Sequence, residues 1–279
     1  MQVYHLQNQQ YRTLLVGDPR PVAEFAALLQ KNNFTFSILN LSVLDAFEGF
    51  DPAMFHEFLG KYSEHIIDDL EEGKSFDVIV DLSLTFAPDK AVLLDGIVTT
   101  YPQALVLSST LMCTATELTA LLSEPASVIG FNGTPTLIST MTSMEIAPAL
   151  QTAPEIIELA KAYFSALGFT PEIVEDRVAL VMPRILATLV NEAAFAVMEK
   201  VASPSDIDTA MKLGVNYPKG LLEWADQIGI EVFCSILEAL YQEYKQERYR
   251  TCILLKQYLR AGWVGTQSGK GFYEYGNQL

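Results

Sequence analysis

Histidine, cysteine and positive charge are all scarce in this chain, and each shortage removes a class of function. The three cysteines, Cys113, Cys234 and Cys252, stand far apart in 279 residues. An odd number at wide spacing excludes a disulfide framework and a zinc knuckle, so buried, reduced thiols are expected. The three histidines, His5, His56 and His65, all precede residue 76. At their separation His56 and His65 fall on opposite sides of a surface helix and make no metal pair, and no metal site is expected. Lysine and arginine number 18 against 34 aspartates and glutamates, a formal net charge of −16. That field opposes nucleic acid and anionic membrane surfaces, both of which recruit clustered cations. There is no stretch of about 18 uncharged apolar residues, so no membrane span is expected. The opening MQVYHLQNQQYR has neither a basic start before an apolar block nor a small-residue cleavage site, which predicts a cytoplasmic protein without a secretion signal.

What is present is apolar and periodic. Hydrophobic residues make up 50% of the chain, enough at this length for one or two sizeable cores. From residue 12 to about 175, short β-rich apolar runs alternate with longer segments of helical period, which predicts a parallel sheet covered by helices. Strands are expected at 13 to 16, 34 to 39, 76 to 80, 104 to 107 and 127 to 131, with a short one near 172 to 174 after a helix over 154 to 167. After Asp176 the character changes. RVALVMPRILATLVNEAAFAVMEK is apolar around most of its circumference, as in a helix at the centre of a bundle. The next helix has Ser203 as N-cap, Pro204 at its first position, Asp206 in its first turn and Gly214 past its end. Two more helices are expected over 219 to 246 and 251 to 261. The reading is a Rossmann-like α/β domain with a mostly parallel sheet over residues 1–176 and an all-α domain over 177–279.

In a dinucleotide-binding fold the first strand runs into a G-x-G-x-x-G turn, whose amides and following helix N-terminus hold the pyrophosphate. Gly17 occupies the first glycine position, but Pro19 and Val22 stand where the second and third would be. Pro19 offers no N–H, Val22 adds a branched side chain where helix and strand approach closely, and Asp18 brings negative charge towards an anion. Arg20 offsets part of that charge. The acidic residue that grips the ribose normally ends the second strand; here that place holds Asn40, an amide that can accept from a ribose hydroxyl or simply end the strand in a turn.

Residues 175 to 275 carry a specific resemblance. PRILATLVNEA, VASPSDIDTAMKLGVNYPKGLLEWADQIG and the closing GTQSGKGFYEY resemble the 3-hydroxyacyl-CoA dehydrogenase family over about a third of the chain. The N-terminal part resembles it in layout, through the strand before Gly17, the run Ser108 to Thr110, Phe131 with Asn132, and Ala166 to Gly168. The resemblance implies NAD as cofactor, an acyl-CoA or small acid as ligand, and a homodimer formed through the helical domain. It also implies a histidine general base, a glutamate that orients it, and a serine and an asparagine near the reacting oxygen. An imidazole suits this work because it titrates near neutrality, and a carboxylate fixes its tautomer. In the family that histidine precedes Phe-Phe-Asn-Pro; here the run is Ile129-Gly130-Phe131-Asn132-Gly133, so Ile129 stands in the place of the base and Asn132 is kept. The serine after Ser-x-Thr is Leu111, the asparagine before Arg-Ile-Leu is Pro183, and Glu145 matches the orienting glutamate. Lys90 follows the third strand where the family places a basic residue near bound ligand, a solvated lysine at a helix start being the ordinary alternative. Gly265, Gly269 and Gly271 surround Lys270 in what reads as a packing turn rather than a phosphate loop.

Three functions stay open on these residues. One is a dehydrogenase homologue of acyl-CoA metabolism that has lost the catalytic histidine and the glycine-rich NAD loop. Another is an active NAD(P)-dependent oxidoreductase on a 3-hydroxyacyl-CoA or small hydroxy acid, with a rearranged site drawing on Asn132, Glu145, Tyr217 or Lys219. The third is a non-catalytic dimerisation or regulatory partner.

Overall fold

A computed structural model describes residues 11–41, 52–70, 75–123 and 127–276, and His5 lies outside them. The chain divides into two compact units, Met1–Leu180 and Val181–Leu279. Among its described residues the first carries eight strands, β1 (Arg12–Gly17), β2 (Thr35–Leu39), β3 (Ile66–Ile67), β4 (Val78–Leu82), β5 (Leu105–Ser109), β6 (Val128–Phe131), β7 (Ser143–Pro148) and β8 (Thr170–Ile173). Its helices are α1 (Pro19–Lys31), α2 (Pro52–Leu59), α3 (Ala87–Thr100), α4 (Ala115–Leu121) and α5 (Pro154–Ala166). The strands form one sheet in the order β3-β2-β1-β4-β5-β6-β7-β8, in which only the β6–β7 pair is antiparallel. This is a Rossmann-like sheet, mostly parallel.

Two strands went unexpected, each for a physical reason. β3 is two residues long, too short to show a period. In β7 the half-buried Glu145 alternates with buried Met144 and Ile146, the pattern of a strand with one wetter face rather than an unbroken apolar run. Alternation along the central strands builds two cores. Leu15, Val80, Leu107 and Ile129 join one cluster, while Leu14, Val16, Ile79 and Val106 join the other, since successive side chains point to opposite faces.

The second unit holds α6 (Met182–Met198), α7 (Pro204–Gly214), α8 (Leu221–Ile228), α9 (Ile230–Tyr244) and α10 (Ile253–Arg260). Ser203 caps α7 by accepting the Asp206 N–H at 3.3 Å. Two expectations need correction. The apolar stretch after Asp176 turns helical only at Met182, because Ala179 and Leu180 have left-handed φ of 62° and 52°, and α6 is not buried all round, with Ile185 54% exposed. The single helix expected over 219 to 246 is two, broken at Gly229, whose φ of 121° no side-chain-bearing residue adopts easily.

The glycine-lysine turn at the C-terminus is a strap held by two buried carboxylates. Asp226 accepts the N–H groups of Phe272 and Tyr273, both at 2.9 Å, and the Tyr275 hydroxyl at 3.1 Å. Asp208 accepts the N–H groups of Leu222 and Glu223 at 2.8 and 2.9 Å, and the Tyr273 hydroxyl at 2.7 Å. Burial pushes the Asp226 carboxyl above the ordinary carboxylate range, opposed by the two strap amides. A methyl group at Gly271 would collide with the Asp226 carboxylate, and one at Gly220 with that of Asp208. Gly271→Ala therefore has to displace the strap, and we expect a loss of about 1–3 kcal/mol, read as a fall in Tm with faster proteolysis after residue 264.

The three cysteines are free and buried. Burial pushes the Cys113 and Cys234 thiols up to about 12 and raises that of Cys252. The thiolate is the reactive form, so a chromogenic disulfide at about pH 8 should leave the native chain unlabelled and titrate all three thiols once it is unfolded.

Candidate functional site

Open α/β sheets bind ligands outside the carboxyl ends of the strands where the strand order reverses. Here that point lies between β1, which connects outward to β2, and β4, which connects the other way to β5. Gly17 closes β1 with φ 126°, and a side chain on it would run into the backbone of Leu82 and Ser83 at the end of β4. Asp18 follows as N-cap of α1 in an extended conformation. Its carboxylate accepts the Leu84 N–H at 2.6 Å, tying the turn after β1 to the turn after β4. Burial holds the Asp18 carboxyl above its ordinary range, against the pull of the Leu84 amide and Lys90. Because α1 begins at Pro19, Pro21 also falls in the first turn, where the free amides of a helix gather. Of the first three helical residues, only Arg20 has a backbone N–H. Val22 donates to the Asp18 carbonyl at 3.1 Å and packs its side chain into the core.

Lys90 is not a solvated lysine. It is fully buried and its ammonium donates to Asp81 Oδ2 at 2.7 Å, to the Ser83 carbonyl at 2.6 Å and to Ser83 Oγ at 3.0 Å. Asp81 also receives the Ser83 N–H at 2.9 Å and the Ser108 hydroxyl at 2.6 Å. All three ammonium hydrogens are thus taken up inside the fold. The partner Asp81 sat unmarked in an apolar strand, DVIVDL; a carboxylate in a fully buried strand is the signal that finds it.

Of the residues that the resemblance places at the reaction centre, Ile129 and Glu145 lie on β6 and β7, Leu111 and Asn132 just beyond β5 and β6, and Pro183 in the second unit. Ile129, fully buried, sits on β6 beside Leu107 and Pro148 and belongs to the hydrophobic core. Asn132 ends β6; its Oδ1 accepts the N–H and hydroxyl of Thr134 at 3.2 and 2.7 Å, and its own N–H donates to the Glu145 carbonyl at 3.1 Å. Asn132 and Glu145 are therefore neighbours across the antiparallel pair. Leu111 is buried, as is Pro183 in the first turn of α6. The hydroxyls of Ser109 and Thr110 are buried without a hydrogen-bond partner. Of the described histidines, His56 is exposed on α2, and His65, in a separate 3-10 turn rather than on the same helix, stacks on Phe36 of β2 at 4.1 Å. β2 lies four strands from β6. This centre can hydrogen-bond a small polar ligand, but no imidazole stands near it among the described residues. Tyr217 packs against Trp224 and Lys219 donates to Gln227, both within the second unit.

Asn40 does more than end a strand. Its Nδ2 donates to Asp68 Oδ1 at 2.8 Å, an acidic residue at the end of β3 that sequence reading passed over because β3 itself was invisible. Arg20 lines an open groove of about 460 Å³ with Glu24, Phe58, Lys61, Thr136 and Ser139. Glu24 fixes one wall by accepting the N–H groups of Thr136 and Ser139 at 2.7 and 2.8 Å. No group of three or more His, Cys, Asp or Glu residues able to hold a metal occurs among the described residues, and no helix there is long and apolar enough to cross a membrane.

The model of the 3-hydroxyacyl-CoA dehydrogenase C-terminal domain matches residues 180–275. Beyond it, the chain is 34% identical over 212 residues to a probable 3-hydroxybutyryl-CoA dehydrogenase of Bacillus subtilis, covering 74% of this chain and 72% of that one. The chain belongs to the 3-hydroxyacyl-CoA dehydrogenase family. Among solved structures, FadB2 of M. tuberculosis superposes with a TM-score of 0.82 at 18% identity, over 96% of this chain and 100% of that one. The (S)-3-hydroxybutyryl-CoA dehydrogenase PaaH1 of Ralstonia eutropha gives 0.72 at 26% identity, over the same shares. A 95-residue match to 3-hydroxyadipyl-CoA dehydrogenase of Escherichia coli reaches 44% identity on 34% of this chain and 20% of that one. The family model lies almost wholly within the strapped helical unit.

In this family member the switch point rests on the Asp81–Lys90 pair. Removing one partner of a buried ion pair strands the other, at about 3–5 kcal/mol. Lys90→Met should lower stability by that order in chemical denaturation, and adding Asp81→Leu in the same chain should recover most of the loss.

Proposed function

We propose that this 3-hydroxyacyl-CoA dehydrogenase family member keeps the family scaffold and a ligand crevice but does not carry out the family's hydride transfer. The observation that carries the reading is Ile129: the place of the general base holds a fully buried aliphatic side chain packed into the sheet's core. A hydrocarbon cannot take the hydroxyl proton. The residues at the switch point also do not fit a dinucleotide. A pyrophosphate needs amides at the start of α1 and a close approach to Gly17; Pro19 and Pro21 supply no amide, and the Asp18 carboxylate already takes up the Leu84 N–H that faces it. Oxidoreduction through a rearranged site on Asn132, Glu145, Tyr217 or Lys219 has less in its favour, because Asn132 Oδ1 is taken up by the Thr134 N–H and hydroxyl and the Lys219 ammonium donates to Gln227.

On this reading the chain acts in the cytoplasm as a homodimer through its helical unit, which exposes Ile185, Val201 and Ile253, and its ligand is an acyl thioester or a small acid. The test is an assay of purified protein with acetoacetyl-CoA and reduced nicotinamide cofactor, following loss of the reduced ring's absorbance. We expect no rate above the protein-free control for wild type, and none for Ile129→His alone, since the cofactor loop stays blocked. Steady turnover by wild type refutes the proposal.

A further inference from the structure

The shortage of cations in this chain is uneven. Residues 245–260 carry five of its 18 lysines and arginines and only one of its 34 carboxylates, so a locally positive segment sits within a strongly acidic molecule. It runs from the end of α9 through a 3-10 turn over Glu247–Tyr249 to the end of α10. Arg248, Arg250 and Arg260 are exposed and Lys256 is half-buried. Arg250 has Glu247 at 3.4 Å, a pair with both ends largely in water. Arg248, Lys256 and Arg260 pair with no carboxylate among the described residues. Carboxylates outnumber cations nearly two to one in this chain, so cations left without them in one segment point to acceptors supplied from outside.

Aromatic rings hold this end of the segment in place of carboxylates. The buried Tyr249 ring has the Arg248 guanidinium 4.8 Å from its centre and that of Arg184 at 5.8 Å, and Arg184 also lies 4.6 Å from the centre of the Tyr244 ring. Nε and Nη2 of Arg184 are buried without a hydrogen-bond partner. A cation over an aromatic face is stabilised without an anion, which leaves the exposed Arg248 fork open to one. Apolar surface accompanies the charge, because Leu259 and Trp263 are 39% and 38% exposed on either side of Arg260 in sequence. Arginine, tyrosine and tryptophan together are the residue types that dominate binding energy between proteins. A nucleic acid has no use for Leu259, and the acidic remainder of the chain repels a long polyanion. A second copy meeting this surface in twofold symmetry sets arginine against arginine.

We propose that the surface from Arg248 to Trp263 docks an acidic segment of a different protein, whose carboxylates pair with Arg248, Lys256 and Arg260 and whose apolar side chains cover Leu259 and Trp263. Planar guanidinium forks suit carboxylates, which they bind through two parallel bonds. The surface belongs wholly to the second unit, and the proposal stands whatever the first unit binds.

The probes are a fluorescently labelled peptide rich in glutamate and leucine, its counterpart with glutamine for every glutamate, and a single-stranded oligonucleotide of equal charge, each titrated with the full chain and followed by anisotropy. We expect the acidic peptide to bind and to weaken about tenfold or more between about 0.05 and about 0.5 M salt. The double variant Arg248→Glu, Arg260→Glu should weaken it about tenfold or more, with Tm and oligomeric state unchanged because both residues are exposed, and Trp263→Phe should weaken it as well. No binding of the acidic peptide, equal binding of the glutamine peptide, tighter binding of the oligonucleotide, or equal affinity in the double variant overturns the inference. A change of oligomeric state in the double variant, read by light scattering, also overturns it and assigns the surface to a second copy.

Discussion

The mouth of the sheet is organised by one buried carboxylate. Asp81, inside β4, would be prohibitively costly to bury alone, and it is offset by the Lys90 ammonium, the Ser83 amide and hydroxyl, and the Ser108 hydroxyl of the next strand. Those bonds fix the turn after β4. A fixed turn presents the Leu84 N–H to Asp18, and Asp18 in turn sets where α1 begins. The order of dependence runs from the Asp81–Lys90 ion pair to the geometry of the turns that close β4 and β1. That is why a lysine that sequence reading assigned to solvent or to a cofactor has a structural task instead.

The contrast between the two units follows from how replaceable their residues are. In the helical unit, Asp208 and Asp226 each hold two backbone amides and a tyrosine hydroxyl, and glycines lie against both carboxylates. No other residue type keeps those bonds and that spacing, so the text stays recognisable whatever the protein does. At the switch point the requirement is different. Glycines and a helix N-terminus rich in amides are needed only if a pyrophosphate is to be held, while the sheet itself requires just Gly17, which meets the backbone of β4.

This division also decides what could be read from sequence. The central strands were legible because they are apolar on both faces, and α7 because Ser203, Pro204 and Asp206 mark its start chemically. The end of β6 was legible because the run over 127 to 131 is apolar up to Phe131. β7 was missed because Glu145 interrupts its apolar text, and β3 because two residues carry no period. With β3 went the Asn40–Asp68 hydrogen bond, since only the pairing of β2 with β3 brings the two residues together. Gly229 was passed over within a long apolar helix pattern, although its neighbours Ile228 and Ile230 are both fully buried; periodicity survives a break when both pieces bury the same side.

Charge and burial at the end of β1 pull in opposite directions. Lys90 and Asp81 cancel, and burial pushes the Asp18 carboxyl up, towards its uncharged form, against the Leu84 amide and Lys90. A helix N-terminus returns about 0.3–1 kcal/mol to an anion at an exposed site, and Pro19 and Pro21 leave α1 with a single backbone N–H among its first three residues. The turn after β1 is therefore set by the bond from the Leu84 N–H to Asp18 rather than by charge.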